Sequence, residues 1–276
     1  METVSVEDDD YGVPFPGVVL PPERRRDATA RLERGQPLDW SALFAGPAPE
    51  PGAPEPGPPA PHAADVRRVV DLGCGNGRYL LASALARPEV LHLGVDLVPQ
   101  AIQHAARRAG ERGLANVKYA WGDALRLLFE GLTPRSIDEL HVYHPQPYYD
   151  PEQVGRRMLH PPFFGQAWRV LREGGLLVLQ TDNPAYARYV ARTAPRFFEW
   201  REHPGPWPDA PLGRTRREIK ALQLGLPLYR ASGAPLPLSE RRLKSLVRHV
   251  PRPDFDANRA VFRKRGGPQR RRGGGR

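Results

Sequence analysis

The stretch RVVDLGCGNGR, residues 68–78, decides the fold of this chain. It opens with a β-branched run, which predicts a strand, and passes through three closely spaced glycines into a helix-like segment. Glycines at such a turn let the backbone approach a ligand and adopt dihedral angles that a Cβ atom forbids. The spacing is G-x-G-x-G, and Arg78 stands where dinucleotide-binding loops carry their third glycine. Because Asp71 would repel a pyrophosphate, the loop favours a cationic ligand.

Two further acidic residues follow the next two predicted strands. Asp96 comes directly after the run 90–95, at the usual place for a carboxylate that accepts from both ribose hydroxyls. Asp123 follows the run 117–120, where it would meet the edge of an adenine. Acids after three strands suit S-adenosylmethionine, whose amino and sulfonium groups are positively charged. The predicted cofactor-binding residues are Asp71, Gly73, Gly75, Gly77, Asp96, Leu97, Asp123 and Ala124.

The string DLGCGNG, residues 71–77, resembles the first motif of class I S-adenosylmethionine-dependent methyltransferases. Strand and helix patterns alternate from there to a last predicted strand at 226–230, which indicates an α/β fold with a doubly wound, mostly parallel sheet. The resemblance implies a Rossmann-like sheet of seven strands. We expect a largely disordered N-terminal extension (1–62) with a Pro-rich linker (46–61), a methyltransferase domain (63–232), and a basic Arg/Gly-rich tail (233–276).

The formal net charge of +10 is concentrated at one end of the chain. Residues 241–276 carry 13 Lys and Arg against 2 Asp and Glu, whereas residues 1–240 are close to neutral. Such a tail would attract phosphates without sequence preference. No apolar run approaches the roughly 20 residues that cross a bilayer, and no signal pattern opens the chain. A single cysteine excludes an internal disulfide and a thiolate-cluster zinc site, and no metal site is expected. A cytoplasmic protein is the expectation.

Two strings in the second half carry a more specific resemblance. Residues 181–187 read TDNPAYA, and Thr215 and Glu218 form a T-x-x-E element further on. In that order they resemble the tRNA (guanine-N7)-methyltransferase family, which implies S-adenosylmethionine as methyl donor and tRNA as partner. The family loop P-D-P-W-H-K-x-R-H-x-K-R-R aligns with PQPYYDPEQVGRR, residues 145–157, so the loop is divergent. Gln146 replaces the central acid, and most of the cations are gone.

The resemblance also implies roles for individual residues on the acceptor side. Gln146 and Asp182 would be the catalytic residues. Asp182 and the segment from Thr215 to Glu218 would hold the guanine, and two arginines of the loop would contact phosphates. The predicted substrate-binding residues are Tyr148, Arg156, Arg157, Asp182, Tyr186, Thr215 and Glu218.

The altered loop leaves three functions open. The first is methylation of guanine N7 in tRNA, which the retained Thr215 and Glu218 favour. The second is methylation of another acceptor by the same fold. The third is a non-catalytic RNA-binding protein. Gln146 and the lost cations favour the last two, because a Gln side chain hydrogen-bonds but carries no charge. His141 and His144 are interpreted as packing residues at a strand end.

Overall fold

The computed structural model describes residues 9–45 and 66–255. The Pro-rich linker predicted at 46–61 and the end of the basic tail lie outside the described residues. The strands are β1 (Asp9–Asp10), β2 (Val13–Pro14), β3 (Thr29–Ala30), β4 (Arg68–Leu72), β5 (Leu91–Asp96), β6 (Val117–Trp121), β7 (Ile137–Tyr143), β8 (Leu171–Thr181), β9 (Phe198–Glu202) and β10 (Tyr229–Pro235). The α-helices are α1 (Trp40–Phe44), α2 (Arg78–Ala86), α3 (Pro99–Glu111), α4 (Ala124–Arg126), α5 (Pro161–Val170), α6 (Pro184–Thr193), α7 (Arg216–Gln223) and α8 (Glu240–His249).

The central sheet has the strand order β3-β6-β5-β4-β7-β8-β10-β9. The first six strands in this order, β3, β6, β5, β4, β7 and β8, run parallel to one another. Strand β10 pairs antiparallel with both β8 and β9. The predicted doubly wound, mostly parallel α/β sheet is confirmed. The order reverses at β4, because β5 lies on one side of it and β7 on the other. Ligands of such sheets bind at the carboxyl ends of the strands beside this reversal.

The expected number of seven strands is wrong by one. The eighth strand, β3, comes from the N-terminal extension: Thr29 and Ala30 pair with Tyr119 and Ala120 of β6. A strand of two residues is too short to show a periodic pattern, so β3 was not predictable from the sequence.

The N-terminal extension is packed on the domain over residues 9–45, in contrast with the expectation that most of it is disordered. Trp40 and Phe44 of α1 join the main hydrophobic core, and their rings stack with a centroid distance of 6.0 Å. Asp39 caps α1 by accepting hydrogen bonds from the amides of Ser41 and Ala42. The burial of Trp40 and Phe44 anchors the extension to the main core of the domain.

The C-terminal region also contains more order than its composition indicates. The last strand, β10, begins at Tyr229, so the strand predicted at 226–230 is displaced toward the N-terminus. Ten residues of the segment predicted as tail form α8, which packs on α5. Leu246 and Val250 belong to the main core, because apolar residues at helical spacing place one face of α8 against the domain.

Two apolar layers cover the faces of the sheet, and they leave the carboxyl ends of the strands open. Val69 and Val70 of β4 point into different core clusters, as side chains alternate along a strand. The polar residues of the site therefore lie at the end of the sheet where β4 to β8 have their carboxyl ends, which we call the open edge. Among the helices described, none is long and apolar enough to cross a membrane.

Candidate active site

The loop after β4 presents its backbone to the open edge of the sheet. Gly73 has a φ of 86° and Gly77 a φ of 75°, values that L side chains rarely adopt. A Cβ atom on Gly77 would come within 2.6 Å of Ala105 and Tyr119, so this glycine permits α2 to start close to α3 and β6. A Cβ atom on Gly73 or Gly75 would meet nothing within 4 Å. These two glycines therefore face open space of the kind that a ligand occupies.

Asp71 is buried at the start of this loop. Its side chain is 1% exposed, and its Oδ1 atom has no hydrogen-bond partner among the described residues. Burial, and then the charge of Asp96, raise the pKa of Asp71 well above its ordinary value. A buried carboxylate without a partner costs free energy that an ammonium group would offset. The orphaned oxygen thus fits the amino group of S-adenosylmethionine.

Asp96 shapes the loop as well as facing the site. Its Oδ2 atom accepts a hydrogen bond from the amide of Gly75, and its Oδ1 atom accepts one from the amide of Val98, both at 2.9 Å. Each carboxylate oxygen has a second lone pair, which leaves Asp96 able to accept from ribose hydroxyls. The fit to a ribose is therefore compatible with the loop-holding role.

A groove of about 1150 Å³ continues from this point toward the N-terminal extension. Residues 29–39 line one side, and Leu97, Trp121 and Asp123 line the other. Asp123 caps α4 through its Oδ1 atom, which accepts from the amides of Leu125 and Arg126. Leu97 and Trp121 are 62% and 64% exposed, and the Trp121 indole donates to the carbonyl of Leu97 at 3.1 Å. Exposed apolar surface beside a carboxylate fits an adenine, with Ala124 buried behind it.

Sequence reasoning missed both Trp121 and the contribution of the extension to the loop. Asp10, which is 3% exposed, accepts hydrogen bonds from the side-chain amide of Asn76 and pairs with Arg78 at 3.3 Å. The Arg78 guanidinium also donates to the carbonyls of Val13 and Pro14. The one available signal was Arg78 itself, an arginine at a position where a dinucleotide loop has glycine.

The acceptor side centres on Asp182, directly after β8. Its Oδ1 atom accepts from Nδ1 of His144 at 3.1 Å, and its Oδ2 atom accepts from Nε and Nη2 of Arg217 at 3.0 and 2.6 Å. Burial acts to raise the pKa of Asp182, but the hydrogen bonds and charges of His144 and Arg217 outweigh it and lower the pKa to about 2. Asp182 is therefore an ionised hydrogen-bond acceptor at neutral pH.

His144 is held between two strand ends. Its Nε2 atom contacts the side-chain amide of Gln180 at 2.9 Å, and its backbone amide donates to the Gln180 carbonyl at 2.7 Å. Its φ of 51° is uncommon for a residue with a side chain, so these contacts hold a strained backbone. The ring contact to Asp182 makes His144 part of the acceptor side, which its interpretation as a packing residue did not anticipate.

His141 by contrast lies beneath the site. It is 2% exposed, and its ring contacts Tyr79, Tyr143 and Glu139 within 3.1 Å. Burial lowers the pKa of His141, and the neighbouring Glu139 opposes that effect without cancelling it. This histidine packs among polar groups under the strand ends, as the sequence predicted.

The region from β4 to β10 matches the model of a family described as "Putative methyltransferase", over residues 65–231. A tRNA (guanine-N(7)-)-methyltransferase of Halorhodospira halophila is 30% identical over 202 residues, which cover 71% of this chain and 87% of that protein. The chain belongs to the tRNA (guanine-N7)-methyltransferase family. The enzyme of the same description from a Synechococcus sp. is 33% identical over 169 residues, 58% of this chain and 68% of that one. The Thermus thermophilus enzyme is 32% identical over 164 residues, and the chain spans about half of its length (52%).

Three residues to which the family resemblance gave substrate contacts are buried, which corrects those expectations. Glu218 is 0% exposed, and its carboxylate binds the Arg230 guanidinium at 2.7 Å and the Arg214 amide at 2.7 Å. Tyr186 is also 0% exposed, with its hydroxyl accepting from the amide of Leu159. Both side chains are buried and hydrogen-bonded inside the domain, so neither faces the open end of the sheet in this structure.

Arg157 is the third of these residues, and it anchors the divergent loop instead of facing RNA. The side chain is 2% exposed, and its guanidinium donates to the carbonyls of Pro147, Tyr148 and Pro253 at 2.6, 2.9 and 3.0 Å. It also lies over the ring of Phe255, 4.1 Å from the ring centroid. Arg157 therefore ties the loop to the segment that follows α8.

The other residues that the family resemblance assigned to the acceptor side lie near the open edge. Gln146 and Arg156 are exposed, and Tyr148 lies between them with a φ of 36°. Thr215 is the N-cap of α7, where its Oγ1 atom accepts from the Glu218 amide at 3.1 Å. Thr215 thereby places Arg217 in the first turn of α7, from which Arg217 reaches Asp182.

Proposed function

We propose that this protein transfers the methyl group of S-adenosylmethionine to N7 of guanine in tRNA. Family membership supports the methyl donor and the acceptor class. Our assignments of individual residues rest on the geometry above: Asp71, Gly73, Gly75, Asp96, Leu97, Asp123 and Ala124 for the cofactor, and Asp182, with Gln146 and Tyr148, for the guanine. A tRNA substrate would place the protein in the cytoplasm.

The observation that carries the proposal is the pair formed by Asp71 and Asp182 at one edge of the sheet. Asp71 lies on β4 and Asp182 follows β8, with β7 between them. Asp71 is level with His141 of β7 and Val178 of β8, and Asp182 lies four residues beyond Val178. At about 3.3 Å per residue along a strand and about 4.8 Å between strands, the Cα atoms of the two residues stand roughly 16 Å apart. That spacing allows one ligand to bind Asp71 and another to bind Asp182 with their reactive atoms in contact.

The chemistry of N7 methylation matches a site without a free catalytic base. Bound S-adenosylmethionine supplies an electrophilic methyl group on a sulfonium. The N7 atom of guanine has an unprotonated lone pair, which forms the new N–C bond while the S–C bond breaks, so no proton needs to be removed. The site must therefore align the two reactants. Positive charge passes from sulfur to the guanine ring, and the ionised Asp182 stabilises it there.

Asp182 also has the acceptor geometry that guanine requires. The N1 and N2 donors of guanine form a two-donor edge, as do Nε and Nη2 of an arginine. In the described structure Arg217 presents such an edge to Oδ2 of Asp182. The Arg217 side chain is 44% exposed, so its contact with Asp182 lies at the surface, where an incoming base can compete for the carboxylate. We propose that guanine takes the place of Arg217 on Asp182.

A second candidate function, methyl transfer to a different acceptor, is favoured by the loop after β7. Gln146 is exposed and uncharged where the family has an acid, and Arg157 is buried where the family has a phosphate-binding cation. A non-catalytic RNA-binding role has the same support. Neither candidate accounts for the retained Asp182 with its lowered pKa, which is why we place guanine methylation first.

The test is an incubation of the purified protein with labelled S-adenosylmethionine and an unmodified tRNA transcript. We expect label in the RNA and chain cleavage at 7-methylguanosine after borohydride and aniline treatment. Label without such cleavage would identify another acceptor position. Cofactor binding with no label in any RNA would contradict the proposal and leave the non-catalytic role.

A further inference from the structure

The exposed face of α8 carries a row of cations. Arg241, Lys244 and Arg248 are all exposed, and at 100° per residue they lie within about 60° of one another around the helix. Leu246 and Val250, which join the core, lie on the opposite side. Helix packing therefore fixes these three cations toward solvent.

The segment after α8 leads from this row directly to the acceptor site. The Pro251 carbonyl accepts from the Tyr189 hydroxyl at 3.0 Å, and the Pro253 carbonyl accepts from Arg157. The same guanidinium holds the carbonyls of Pro147 and Tyr148, the two residues that follow Gln146. Pro253 and the divergent loop are thus bound to one side chain. The segment 250–255 therefore connects the cationic row to the loop that carries Gln146.

The charge along this surface is predominantly positive. Residues 241–252 contain five Lys and Arg and no Asp or Glu. The acids that flank this stretch in the sequence are Glu240, which lies 3.6 Å from Lys244 at an exposed position, and Asp254. Beyond Phe255 the sequence continues for 21 residues with eight Lys and Arg and one acid. Cations spaced along a surface complement the regularly spaced phosphates of a nucleic acid.

We infer that α8 and the segment 250–255 form the docking surface for the RNA backbone of the substrate. The inference rests on the proposed function. It also explains the divergent loop. In the family, the cations after the P-D-P-W string contact phosphates. Here α8 would supply those contacts, and Arg157 joins the segment after α8 to the loop. RNA is the occupant because the cations adjoin the site that binds the base.

The test compares two variants with the same change in charge. The first replaces Arg241, Lys244 and Arg248 by Gln. The control replaces Arg24, Arg25 and Arg107 by Gln, three exposed residues on and beside α3 that lie outside the proposed surface. Affinity for an unmodified tRNA transcript is measured over a range of salt concentrations, together with cofactor affinity and turnover at saturating tRNA.

We expect the first variant to bind tRNA at least tenfold more weakly near 0.1 M salt. The slope of log affinity against log salt should fall by about 2 to 3, since each lost phosphate contact removes about one unit. Cofactor affinity and turnover at saturating tRNA should remain those of the wild type, as they should in the control, whose tRNA slope should also be unchanged.

A wild-type slope in the first variant would overturn the inference, as would an equal loss in the control. Vesicles containing phosphatidylserine test the alternative of an anionic membrane: a loss of vesicle binding in the first variant, with its tRNA slope intact, would also overturn it. The salt-slope experiment and the methylation assay can fail independently of each other. Wild-type protein that methylates no tRNA contradicts the proposed function, whereas an α8-dependent tRNA slope in that same protein still supports the docking surface.

Discussion

Two nitrogens of the Arg217 guanidinium donate to a single carboxylate oxygen of Asp182, at 2.6 and 3.0 Å. The other oxygen of Asp182 is occupied by the ring of His144. The carboxylate is therefore fixed in orientation from both sides, and its pKa is lowered to about 2. A fixed, ionised acceptor of this kind is prepared for a ligand that brings two donors.

Replacement of Asp182 by Asn should lower kcat for tRNA methylation by about a hundredfold, because the neutral amide stabilises the positively charged product less well and presents an N–H donor to guanine. The affinity for S-adenosylmethionine should stay at the wild-type value. Single-turnover methylation and calorimetric cofactor titration measure the two quantities. Asp138→Asn is the matched control, because Asp138 accepts from the Arg68 amide at the other end of the sheet. Wild-type turnover in Asp182→Asn would remove guanine recognition from this residue.

Replacement of Asp71 by Asn should weaken cofactor binding by at least tenfold, since the amide cannot pair with an ammonium as a carboxylate does.

The wild-type site should also release protons when it binds the cofactor. Burial holds the pKa of Asp71 well above its ordinary value in the free protein, and an ammonium beside it would lower that pKa again. Affinity should therefore increase as the pH rises from the ordinary value of 3.8 toward the raised pKa. Calorimetry in buffers of different ionisation enthalpy counts the protons; no release in the wild type would contradict the pairing.

Replacement of Gln146 by Asp should raise kcat for tRNA methylation several-fold. A carboxylate at this exposed position of the loop adds a negative charge near the guanine that becomes positively charged, and one such interaction is worth about 1 kcal/mol in a partly solvated site. The control is Gln153→Asp, which makes the same charge change at another exposed position of the loop. Equal turnover in the wild type and both variants would show that the acid is not required here.

Replacement of Glu218 by Gln should destabilise the fold by about 3 kcal/mol, because it leaves the buried guanidinium of Arg230 without its counter-charge. Urea unfolding followed by circular dichroism measures this change. Glu240→Gln, which removes an exposed partner of Lys244, should change the stability by less than about 0.5 kcal/mol. A Glu218→Gln variant of wild-type stability with a lowered affinity for guanine would restore the substrate contact that burial excludes.

Much of the cofactor side was predictable because its signals are local. A strand, a glycine turn and an acid after each strand lie within a few residues of one another, and the parallel sheet brings the strand ends together without further information. Asp71, Asp96 and Asp123 accordingly lie at the edge where the sequence placed them. The groove wall made by residues 29–39 was not predictable, because it depends on a two-residue strand that pairs with residues 90 positions further along the chain.

The acceptor side was less predictable because motif strings do not distinguish contact with substrate from support of the fold. Thr215 and Glu218 carry a capping pattern, and only the distant Arg230 decides that the Glu218 side chain turns inward. Arg156 and Arg157 are adjacent and chemically identical, yet one is exposed and the other is buried. Helix α8 shows the same limit, since its burial depends on a complementary surface on α5.

The pairing of Thr29 and Ala30 with β6 also affects whether the protein self-associates. Without those two residues, the amide and carbonyl groups of β6 would form an open strand edge, and open edges recruit strands of other chains. A shortened protein that begins at Val66 would retain every predicted cofactor residue and would nevertheless tend to self-associate along β6. The extension thus acts as a cover that keeps the sheet of one molecule from continuing into the next.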